Sequence, residues 1–157
     1  MGELYSLQTN ILLQADDFAE AYRRCARGEN PTIDEYGRTC YAVVNIPAIV
    51  NAAFACELYM KSMITTPIVG HELASLFSEL DTDKQEQIRQ YVDNKFKEHP
   101  VNSFDMCLER ATNVFVDWRY IYEEEHTDGF MGCFINEYLT FFQYFIEILS
   151  KLAHANK

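Results

Sequence analysis

Apolar residues recur at intervals of three and four along most of this chain, and glycine and proline break the pattern in few places. That periodicity predicts an all-α protein. A first helix is expected from about Ser6 to Arg27, with Leu7, Ile11, Leu12, Ala15, Phe18, Ala19 and Tyr22 on one face. "GENPTIDEYG" ends it, since Gly28 and Pro31 are stop signals. A second helix should cover about Arg38 to Thr65, with Pro47 either kinking it or marking where its regular part begins. On this helix Glu57 and Lys61 stand one turn apart, in the stabilising order.

After "TTPIVG" a short third helix is expected near His71, with Leu73, Leu76, Phe77 and Leu80 as its apolar side. A more polar fourth helix runs from "DTDKQEQI" to about Phe96, opened by an Asp or Thr cap. Asn102 or Ser103 can cap the fifth, whose stripe of Phe104, Cys107, Leu108, Ala111, Phe115, Trp118 and Tyr122 continues to an end near "HTDG". The last helix, about Phe130 to Ala153, has two apolar faces, one through Phe134, Tyr138, Phe141, Phe145, Ile148 and Leu152, the other through Ile135, Leu139, Phe142, Ile146 and Leu149. Only Asn136, Thr140, Gln143, Glu147 and Lys151 form a solvated stripe. So wide an apolar face belongs either at the centre of the fold or against a partner, which includes a second copy of the chain. The expected architecture is an antiparallel bundle of four long helices plus one or two short ones.

The 157 residues suit one domain spanning positions 1 to 157. Five cysteines, widely spaced and without a CxxC, indicate neither a disulfide framework nor a zinc ribbon, and a reducing cytoplasm is the expected setting. The start "MGELYSLQTN" lacks the basic and apolar segments of a signal peptide. Residues 39 to 56 carry no charge, but Asn45, Pro47 and Asn51 within that stretch favour a buried core helix over a membrane span.

A net charge of -11 disfavours general binding to nucleic acid, so any contact with RNA would be local or assembled by an oligomer. No phosphate-binding glycine loop, HExxH or GxSxG occurs, and the carboxylates do not follow the pattern of a di-iron bundle. Neither a metal site nor a cofactor is expected.

Four histidines remain as candidates for chemistry. His154 falls in a C-terminal tail and His99 before a proline, both read as exposed, whereas His71 can cap a turn or pack on the second helix in a structural role. Arg119 and His126, seven positions apart, project from one helical face with Tyr122 and Glu123 between them as candidate binding residues. At a helix C-terminus the partial negative charge favours imidazolium. Such a histidine beside a charge-neutralising arginine is the minimum set for metal-free RNA cleavage by the 2'-hydroxyl. The same spacing also allows an ordinary Arg119 to Glu123 pair, with Trp118, Tyr120 and Tyr122 as packing residues. Glu123, Glu124 and Glu125 would repel a phosphate.

"NAAFACELYMKSMI", then "GHELASLF", then "FVDWRYIYE" together resemble the HEPN superfamily, small helical bundles of prokaryotic toxins, defence systems and nucleotidyltransferase partners. The resemblance spans about residues 38 to 150 and rests mainly on the first two strings. It implies a bundle that commonly forms a homodimer and, in active members, a metal-independent ribonuclease using an Arg and a His separated by a short spacer, here Arg119 and His126. It leaves two readings open. One is an endoribonuclease of toxin or defence type with RNA as substrate and an antitoxin as partner; the other is a non-catalytic module that binds a partner protein or a nucleotide.

Overall fold

The computed structural model describes residues 2–27, 31–33, 35–41, 45–98, 103–114 and 135–155. Helix α1 (Gly2–Arg27) carries the expected apolar face: Leu12, Ala15, Ala19 and Tyr22 are buried and Ile11 and Phe18 pack at its margins, while Leu7 is largely exposed. Helix α2 (Asn45–Met63) starts later than the expected Arg38. Pro47 therefore falls in its first turn, where a missing N–H removes no helical hydrogen bond, and it marks the start of the helix.

The residues expected to lead into α2 instead form a strand. Strand β1 (Pro31–Ile33) pairs antiparallel with β2 (Thr39–Tyr41), placing Pro31 opposite Tyr41 and Ile33 opposite Thr39. Gly37, at φ 77°, supplies the left-handed residue the turn requires, and the Arg38 guanidinium lies 5.2 Å above the Tyr36 ring. This local turn chemistry outweighed the helical period of the uncharged stretch.

Helices α3 (Leu73–Ser78) and α4 (Thr82–Lys95) follow as expected, with Leu73, Leu76, Phe77 and Leu80 buried. Asp81 holds the cap position of α4, but its carboxylate pairs with Lys84 Nζ at 2.5 Å instead of capping the backbone. Helix α5 (Phe104–Ala111) is capped by Ser103, whose Oγ accepts the Met106 N–H at 3.3 Å. The rest of the stripe expected of the fifth helix, Phe115, Trp118 and Tyr122, and its end near "HTDG" lie outside the described residues. Thr112 serves α3, its carbonyl accepting the Leu73 N–H at 3.1 Å and its Oγ1 the Ala74 N–H at 3.0 Å. Two N–H groups at the start of α3 are satisfied in this way, although the Glu72 side chain makes no cap bond.

Helix α6 (Ile135–Ala155) lies against α1, α2, α4 and α5. Phe141, Phe142, Phe145, Ile146, Ile148 and Leu149 are buried, and Phe104 stacks with Phe77, Phe145 and Phe141 at ring separations of 4.8, 5.2 and 5.9 Å. The chain's own core thus takes up both apolar faces of α6 between Phe141 and Leu149, while Gln143, Glu147 and Lys151 stay exposed. His154 lies within this helix and not in a tail; it is exposed, with Nε2 3.0 Å from Asp16 Oδ1. The same oxygen accepts the Tyr59 hydroxyl at 2.7 Å, so one carboxylate joins α1, α2 and α6. Ala48, Ile49, Ala52, Ala53, Ala55 and Cys56 are wholly buried, the core fate expected of the uncharged stretch. Among the described residues no helix is long and apolar enough to cross a membrane.

Candidate functional site

Glu57 occupies a core position of α2, one turn from Ala53 and Met60 and next to Cys56, all fully buried. Its side chain is 1 % exposed, the one charged side chain buried among the described residues. An unpaired carboxylate there would cost several kcal/mol, on the order of what measured removals of one partner show. Two partners offset that cost. Lys61, one turn on, places Nζ 2.7 Å from Oε1, and His71 places Nδ1 3.0 Å from each carboxylate oxygen.

His71 reaches Glu57 because the chain doubles back after α2, with Gly70 at φ 138° directly before it, a backbone conformation that favours glycine. Of the two structural roles open to His71, packing on the second helix is the one found. A carboxylate can only accept, so the Nδ1–H donates, and Glu57 sets the orientation of the ring.

The ring, half exposed, borders a cleft of about 410 Å³. Glu72, Ser75 and Asn113 join His71 on the polar side, and Ile68, Val69 and Leu76 supply the apolar side. Ser75 Oγ donates to Glu72 Oε2 at 2.9 Å. A narrower cavity of about 130 Å³, which shares Ile68 with this cleft, is lined by Leu7, Ile11, Lys61 and Ile64. A third hollow, of about 380 Å³, separates α1 from α6 near Arg23 and Arg27, but Glu147 lines it too and Glu20 pairs with Arg23 and Arg24.

The expected pair Arg119 and His126, with Tyr122, Glu123 and His99, lies outside the described residues. Burial pushes the Cys56 thiol well above its ordinary value and that of Cys107 to about 11, so both stay protonated and are poor nucleophiles near neutral pH. Among the described residues no group of three or more His, Cys, Asp or Glu side chains is placed to hold a metal ion. Sequence reasoning took Glu57 and Lys61 only as a stabilising pair one turn apart and did not single out Glu72, Ser75 or Asn113. The available signal was an acid at core spacing inside the apolar run "AFACELYM".

In comparisons with protein-family models, with curated proteins and with solved structures, no significant match to the chain was found.

Proposed function

We propose that this chain is a HEPN-like antiparallel helical bundle, cytoplasmic and homodimeric, that cleaves RNA without metal in a toxin or defence setting with an antitoxin or other partner protein. Arg119 neutralises charge on the phosphate and His126 moves the proton. The 2'-hydroxyl attacks the adjacent phosphorus and gives up its proton, and the 5'-oxygen leaves with a proton from the second His126 of the dimer, yielding a 2',3'-cyclic phosphate and a 5'-hydroxyl. One observation carries the reading: the two strings on which the resemblance chiefly rests, residues 51–64 and 70–77, are joined in space by the contact of Glu57 with His71.

The test compares wild type with His126→Ala on short RNA in EDTA. Cleavage by wild type alone supports the proposal. Equal cleavage by both proteins, or none by either, overturns it.

The net charge of -11 and the run Glu123 to Glu125 favour a second reading, a non-catalytic HEPN-like module that binds a partner protein or a nucleotide. A stable complex in the absence of any RNA cleavage is its expected outcome.

A further inference from the structure

We infer that the cleft beside His71 binds a planar heterocycle presenting two adjacent N–H donors, of the guanine type. The cleft's volume, about 410 Å³, falls within the range of roughly 300 to 1,000 Å³ usual for small-molecule sites. Its walls divide by polarity as such sites do. Ile68 and the fully exposed Val69 offer apolar surface to a ring face, while His71, Glu72 and Asn113 supply a few polar groups that would fix its orientation.

The polar groups decide the class of ligand. Glu72 is the carboxylate lining the cleft, and Ser75 uses one of its roughly four acceptor positions. Two acceptor oxygens side by side match two adjacent N–H donors, and among the four common bases only guanine carries such a pair, at N1 and N2. Adenine and cytosine place a ring acceptor beside their amino group, and uracil's single N–H stands between two carbonyls. Each would set a lone pair against the carboxylate. The Asn113 amide can donate to the carbonyl that guanine presents next to those donors. A free phosphate is disfavoured because, among the described residues, the cleft is lined by the Glu72 carboxylate and by no Lys or Arg.

Glu57 makes this a prepared site. A carboxylate 1 % exposed fixes the ring of His71 at the cleft's edge, so a bound ligand would meet an imidazole already ordered. This inference rests on the cleft's own geometry, and it holds whether or not Arg119 and His126 cleave RNA.

The experiment titrates the intact protein with guanosine and with adenosine by calorimetry. Guanosine is expected to bind at least about tenfold more tightly than adenosine, the scale of discrimination set by one lost hydrogen bond to a charged group. Glu72→Gln, exposed and nearly isosteric, should keep the fold by circular dichroism yet weaken guanosine about tenfold or more, because one acceptor becomes a donor. RNA cleavage and guanosine binding are measured on the same wild-type protein, so loss of one leaves the other as a separate result. No guanosine binding at millimolar concentration, equal binding of adenosine, or wild-type affinity in Glu72→Gln would each overturn the assignment.

Discussion

His71 Nδ1 lies 3.0 Å from both carboxylate oxygens of Glu57, fourteen residues earlier in the chain, and the acid is buried while the imidazole is half exposed. The buried charge has two partners, so removing either leaves the other in place. His71→Ala and Lys61→Met are each expected to lower stability by about 1–3 kcal/mol in urea titration. The double variant leaves an uncompensated buried carboxylate and should lose more than the sum of the two, by about 1 kcal/mol or more. Additive losses would show that the three groups do not act as one cluster.

Thr112 ties the start of α3 to the end of α5 through two backbone donors, those of Leu73 and Ala74. Thr112→Val keeps the shape of the side chain and removes the Oγ1 acceptor, leaving the Ala74 N–H without its protein partner. A loss of about 1–2 kcal/mol is expected, with faster amide exchange at Ala74 by hydrogen exchange. Unchanged exchange there would count against the capping role.

Phe104 is fully buried and stacks on Phe77, Phe141 and Phe145, joining α3, α5 and α6. Phe104→Ala opens a cavity that rings fixed by their neighbours cannot refill, and about 3–5 kcal/mol should be lost. Denaturant unfolding measures this directly. Met106, 40 % exposed on the other side of the same helix, provides the control, since its truncation should cost under about 1 kcal/mol.

Alkaline pH should act through buried phenols. Burial pushes Tyr22 up to about 12 from 10.0, and its hydroxyl donates to the Leu139 carbonyl at 2.9 Å. Below pH 10 the phenol is neutral in both folded and unfolded chains, so it adds no pH dependence. Between 10 and about 12 only the unfolded chain ionises, and stability falls as pH rises. Tyr22→Phe should cost about 1 kcal/mol at pH 7 yet show a shallower decline from pH 10 to 11 than wild type. Tyr59, shifted upward mainly by burial, adds to the decline that remains.

Helix type and core membership were legible in the sequence wherever one face repeats at three and four, as in α1, with Leu12, Ala15, Ala19 and Tyr22, and in α6, with Phe141, Phe145 and Ile148. Such periodicity is a local property, and burial follows from it once any neighbour covers the face. What lay beyond it was decided in three dimensions. The stretch before Asn45 reads as helix by composition, but pairing across the Gly37 turn made Thr39–Tyr41 a strand. Glu57 and Lys61 read only as a pair one turn apart, because spacing reports which residues share a face, not which face is inside. Only the packing of α2 against α1 and α6, and the return of the chain through Gly70, turned that pair into a buried carboxylate with His71 as its second partner. The cleft has the same origin: His71, Glu72 and Ser75 are neighbours in sequence, but Asn113 joins them because Thr112 is bonded to the start of α3.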